Sequence, residues 1–197
     1  MDKMYKVDEH ILAAASGLIP DAVFLLDSAR LHAQRFLYAY RESIPVEQLV
    51  QSVCASKHEV TQYGSYRPYG VQFMFAGYDQ VNGFQLYGSD PSGNYAAWKA
   101  QATGKNTQNA TSILKQEYDE KMNLRDALSL AVRVLTKTMD TPNPSPEKCM
   151  SLVILNILCL VEIFTLSVVD GKVVQKETGE ALLKELIQEN EKKEADK

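Results

Sequence analysis

Few side chains in this sequence could do chemistry. The three histidines are His10, His32 and His58, and the three cysteines are Cys54, Cys149 and Cys159. The histidines fall in a turn and on two different helical stretches, at spacings that match no metal-ligand pattern. One nucleophile, base and acid can be assembled on paper, because Ser28 and His32 are four residues apart and share a helical face near Asp21 and Asp27. That face continues through Ala29 and Ala33, small packing residues along a regular helix, whereas a catalytic base needs a pocket. Helix packing is the better reading. No G-x-G-x-x-G, G-x-x-x-x-G-K-[ST], G-x-S-x-G, H-E-x-x-H or C-x-x-C string occurs in the chain. Asp119-Glu120-Lys121 reads as a solvated loop and Trp98 as a strand packing residue. The expectation is a chain with no catalytic residues, no cofactor and no metal.

The scaffold must be of ordinary globular type. Over 197 residues, 45% are hydrophobic and 23% charged, enough for a single domain with a sizeable core. A formal charge of −4 leaves no basic excess for nucleic acid or an acidic membrane surface. The start, MDKMYKVDEH, is charged from its second residue and lacks the apolar core of a secretory signal, so the cytoplasm or nucleus is expected, with buried reduced thiols. The sequon Asn109-Ala110-Thr111 then reads as helix surface. Residues 149–160 (CMSLVILNILCL) are strongly apolar, but Ser151, Asn156 and the following Glu162 interrupt the run. It is shorter than the roughly 20 residues a spanning helix needs and reads as buried strand or helix.

Periodicity orders the elements. Residues 3–7 and 11–16 read as two strands joined by Asp8-Glu9-His10. Pro20 and Asp21 suit the first turn of a long helix, and a second follows Pro45 with Val46, Leu49, Val50, Val53 and Val60 on one face. Residues 71–76 and 84–87 alternate as a hairpin, and residues 95–103 read as one further strand. Helices follow over 107–118 and 124–139, then a proline-rich break at 141–146. Strand-like residues 153–169, an Asp170-Gly171 turn and a short helix over 179–191 complete the pattern, with a charged tail at 189–197.

Residues 64–100, GSYRPYGVQFMFAGYDQVNGFQLYGSDPSGNYAAWKA, resemble the central signature of the alpha subunits of the 20S proteasome core. Arg67-Pro68-Tyr69-Gly70 stands where that family opens a strand with R-P-[FY]-G-V. Asp79 sits in its G-x-D hairpin, and Asp90, Pro91 and Gly93 in its [ST]-x-P-[SA]-G-x turn. Ser16-Gly17-Leu18-Ile19-Pro20-Asp21-Ala22 resembles the family's S-G-[LI]-x-x-D-A helix start, and residues 45–50, 89–95 and 135–140 are similar to its type 4 branch.

The resemblance implies an α/β four-layer αββα sandwich of the Ntn-hydrolase type, one domain over residues 1–197, set in a seven-membered alpha ring. Implied partners are neighbouring alpha subunits, the beta subunits below, and the C-termini of a regulatory particle or activator. A non-catalytic role in gating and ubiquitin-dependent degradation follows, with neither nucleic acid nor membrane as partner. In the family a lysine before the third strand pairs with an activator's terminal carboxylate. That lysine is Lys3 here, with Gly17 and Leu18 as the opposite wall. None of the ten glycines precedes a threonine, so the family's catalytic N-terminal threonine cannot be released.

Two departures are expected from the family pattern. The gate tail, first helix and first two strands are missing, which would leave an open edge beside residues 11–16. Residues 149–160 would be an insert. A free-standing hydrolase and a non-functional truncated product remain the alternatives.

Overall fold

The computed structural model describes residues 3–64, 66–138, 152–155, 163–169, 172–178 and 185–187. They fall into two compact units: Met1–Trp98 with Val168–Val174, and Lys99–Ser167 with Gln175–Lys197.

The first unit is a five-stranded antiparallel sheet covered by two helices. Its strands are β1 (Met4–Asp8), β2 (Ile11–Gly17), β3 (Val71–Asp79), β4 (Gly83–Ser89) and β5 (Tyr95–Ala97), in that spatial order. The helices are α1 (Ile19–Tyr40) and α2 (Val46–Gln62). Alternation decides which side chains meet the helices: Ile11, Ala13 and Ala15 on β2 and Val71, Phe73 and Phe75 on β3 form one core with Ala22, Leu25, Leu26 and Ala29 of α1 and Leu49, Val50 and Val53 of α2. The alanines of β2 and α1 are small, so backbones can approach closely where Leu and Phe fill the gaps. Because β2 lies between β1 and β3, with Ile11↔Gly77 through Gly17↔Val71 in register, residues 11–16 do not border an open edge. The expectation of one is corrected: β2 is an interior strand, and β1 is the terminal one.

A second correction concerns residues 95–103. They divide at Trp98 into β5 and β6 (Ala100–Thr103), which belong to different sheets. Trp98 sits at the break, 48% exposed, with its N–H donated to Leu86 O at 2.8 Å. No glycine, proline or other turn residue stands at the break, so nothing in the sequence marked it.

The second unit holds β6, α3 (Thr107–Glu117), α4 (Leu124–Thr138) and β7 (Leu152–Leu155), which pairs antiparallel with β6 from Ala100↔Leu155 to Thr103↔Leu152. Ala102, Ala110, Leu114, Leu128, Ala131, Leu135 and Leu186 form its core. Arg133 of α4 pairs with Glu117 of α3 at 2.6 Å. A further two-stranded sheet is made by β8 (Ile163–Val169) and β9 (Lys172–Thr178). The expected break at 141–146, the turn at Asp170-Gly171, most of the helix over 179–191, the tail and most of residues 149–160 lie outside the described residues; β7 falls within that last stretch.

Candidate docking site

The three residues expected to receive a chain end lie at one end of the first sheet. Lys3 leads into β1, and its carbonyl accepts the Ala15 N–H at 2.9 Å, two residues before β2 runs out at Gly17. Gly17 has φ +123, and a Cβ there would stand 2.2 Å from the Gly70 carbonyl oxygen. Glycine is therefore required by the protein's own backbone. Leu18 donates its N–H to the same Gly70 oxygen at 2.8 Å, so that donor is already used, while its side chain is 53% exposed.

The helix start beside this wall is fixed by an ion pair. Arg67 grips Asp21 with both terminal nitrogens, Nη1 to Oδ2 at 2.6 Å and Nη2 to Oδ1 at 2.8 Å, in the bidentate geometry that suits a guanidinium. Asp21 Oδ2 also accepts the Gly70 N–H at 3.0 Å. The Arg67 hydrogen bond, helped by Gly70 and opposed by burial, holds the Asp21 carboxyl below the usual carboxylate range, and Asp21 in turn pushes Arg67 up. The pair is lopsided: the Asp21 side chain is 9% exposed and that of Arg67 67%. The whole Arg67-Pro68-Tyr69-Gly70 string serves this junction. Arg67 Nη1 also donates to Pro68 O at 3.1 Å, the Tyr69 ring stacks on Phe24 with centroids 6.0 Å apart, and Gly70 gives both its backbone groups.

Asp79, Asp90, Pro91 and Gly93 are not part of the site and act as turn formers. Asp79 Oδ1 accepts the Val81 and Asn82 N–H groups, and Oδ2 accepts Val46 N–H and Gln85 Nε2. Burial opposes ionisation there, but these donors together keep its carboxyl low. Asp90 closes its turn by accepting from the Ser92 and Asn94 backbones. Pro91 follows it in that turn, and a Cβ on Gly93, at φ +91, would stand 2.6 Å from the Cys54 carbonyl oxygen of α2.

The paper triad is not assembled. Ser28 and His32 are exposed, Asp27 pairs with Arg30 at 3.0 Å, and Asp21 is committed to Arg67. His10 is buried and donates from Nε2 to Ile44 O at 2.7 Å, while His58 Nε2 accepts from Gln62 on the next helical turn. Among the described residues no group of His, Cys, Asp and Glu could hold a metal ion, and no helix is long and apolar enough to cross a membrane.

A buried cation escaped the sequence reading. Lys57 is 0% exposed, and burial pulls its ammonium down to about 8, against the pull of Cys54 and Asp90. The same burial pushes the Cys54 thiol up. The available signal was position, because Lys57 continues the buried stripe of Val46, Leu49, Val50, Val53 and Cys54 at helical spacing.

A family model described as "Proteasome subunit" matches residues 1–154. The chain belongs to the proteasome subunit family. Over 147 residues it is 55% identical to proteasome subunit alpha type-4-1 of Oryza sativa subsp. japonica, 53% to alpha type-4-A of Arabidopsis thaliana and 52% to alpha type-4 of Spinacia oleracea. Each match covers 75% of this chain and 59% of the relative, so the chain spans about three fifths of the length of the curated relatives it matches. As in other proteasome subunits the class is α/β, built from helices and antiparallel sheets. Within the 64–100 stretch that carried the resemblance, residues 67–70 organise the junction beside Gly17 and Leu18.

Proposed function

We propose that this chain acts as a non-catalytic subunit of the alpha ring of the 20S core. In that role it contributes to ring assembly, to gating of substrate access and to activator docking in ubiquitin-dependent degradation in the cytoplasm and nucleus. Its partners are neighbouring alpha subunits, beta subunits and activator C-termini in a hetero-oligomer. The observation that carries this reading is the 55% identity to a subunit named alpha type-4. A supporting one is that no glycine within these 197 residues precedes a threonine, so they contain no Gly-Thr processing site.

For docking, the geometry favours a division of labour. The Leu18 N–H is used by Gly70, so the terminal carboxylate is received by the Lys3 ammonium, a point charge on a flexible stem, and the exposed Leu18 side chain forms the apolar wall. The test is a reconstituted ring containing this chain, measured directly for binding of a peptide with a free C-terminal carboxylate and of its amidated twin. The free acid should bind more tightly, and Lys3→Ala should erase that preference while assembly is unchanged. A preference that survives Lys3→Ala rules out the assignment.

A further inference from the structure

Lys57 has the chemistry of an internal clamp. Its Nζ donates to Val71 O at 3.0 Å, Ser89 Oγ at 2.9 Å and Asp90 O at 3.2 Å, and lies 4.7 Å from the centroid of the Phe73 ring. An ammonium carries three N–H groups and no acceptor, so it gives one to each of the three oxygens, with the Phe73 face as a further neighbour; a neutral amine would keep all three contacts only by accepting the Ser89 hydroxyl proton. No carboxylate is among these acceptors, because the Asp90 side chain is turned to Ser92 and Asn94. The three oxygens come from three places: the first residue of β3, the last of β4 and the turn after it.

The first of those places matters for the docking wall. Val71 follows Gly70, whose oxygen receives the Leu18 N–H and whose N–H goes to Asp21. The Gly70–Val71 backbone is thus held from α1 by Leu18 and Asp21 and from α2 by Lys57. We propose that Lys57 is a positioning residue for the wall at Gly17 and Leu18, acting through the Gly70–Val71 backbone. This rests on the docking reading above and adds a residue of α2 to it.

The test compares Lys57→Met, which keeps an unbranched apolar stem and removes Nζ, with Ser89→Ala, which removes one of the three acceptors. Val53→Ala serves as the control, a core truncation on the same helix. Amide exchange is measured on the full chain as the ratio of the Leu18 rate to the mean rate of the β3 amides, so that global destabilisation cancels. The ratio should rise about tenfold in Lys57→Met and less in Ser89→Ala, and should stay within about twofold in Val53→Ala. In the reconstituted ring, Lys57→Met should weaken binding of the free-acid peptide by about tenfold and leave the amidated twin unchanged. An unchanged Leu18 ratio, or peptide binding as in the unsubstituted chain, overturns the proposal while a Lys3→Ala loss keeps the docking reading. If Lys3→Ala has no effect and the Leu18 ratio still rises, the docking reading falls and the role assigned to Lys57 falls with it, leaving a clamp of the fold alone.

Discussion

Two cations secure the entry to β3 by opposite means, Arg67 through Asp21 and Lys57 through Val71. Arg67 meets a full negative charge at the protein surface, while Lys57 meets only neutral oxygens in the core. At the Arg67 junction the anion is the buried partner, so the guanidinium stabilises the charged carboxylate and lowers its pKa. At Lys57 the cation itself is buried, so desolvation lowers its pKa instead. Both shifts make stability rise with pH, the carboxylate across an acid window and the ammonium across an alkaline one, which makes the two junctions separable.

The largest effect belongs to Lys57. Its folded pKa of about 8 lies below the 10.5 of the unfolded chain, so between those values the unfolded state holds the proton longer and stability rises with pH. The rise amounts to at most about 3 kcal/mol across that window. Denaturant titrations of the unsubstituted chain and Lys57→Met at pH 7, 9 and 10.5 should show the rise as a difference between the two, which also removes common contributions from tyrosines. Curves that stay parallel across this range exclude a depressed Lys57.

Gly17→Ala comes next. A methyl group facing the Gly70 oxygen at 2.2 Å, on a backbone at φ +123, should lower stability by about 2 kcal/mol or more. Chemical denaturation checks this, and a neutral substitution would mean the Gly70 carbonyl is free to move.

Asp21→Asn should cost of the order of 1 kcal/mol at pH 7, discounted for the water around Arg67. The folded carboxyl pKa is lowered, so its contribution is present above the ordinary value near 3.8 and is lost as pH falls through the folded value. The difference between the two proteins should therefore close below pH 4. A gap that persists in acid would assign the effect to shape and not charge. The smallest effect is Lys99→Ala: the Lys99–Glu120 pair at 2.6 Å is solvent-exposed on both sides, and thermal melts should coincide.

The sequence spoke most clearly where one period governs a whole element. The helical spacing of α2 and the alternation of the β3–β4 hairpin were readable because each has a buried face of constant pitch. It failed where a short strand carries no period of its own. Residues 95–97 are all exposed and run on without a turn residue, yet Trp98 and Lys99 carry the chain from one sheet to another. The open edge placed beside residues 11–16 failed for another reason, since strand order is a non-local property that no single segment encodes. Lys57 was missed for a third: its place in the buried stripe of α2 hinted at burial, but the oxygens of Val71, Ser89 and Asp90 that make burial of a lysine tolerable are assembled only by the fold. In the candidate site the residue types were readable, but the reason for Gly17 was not, because its neighbour Gly70 is distant in sequence.

The interior placement of β2 also dictates a timetable. Its partner β3 lies about sixty residues further along the chain, so on a ribosome β2 leaves the exit tunnel long before its second hydrogen-bonding edge has a mate. In that interval β1 can pair with one of its edges through a hairpin, and α1 and α2 can cover one of its faces, but isolated two-stranded hairpins are marginal in water. The alanine-rich β2, second in the finished sheet, thus waits through the synthesis of two helices before its edge toward β3 is paired.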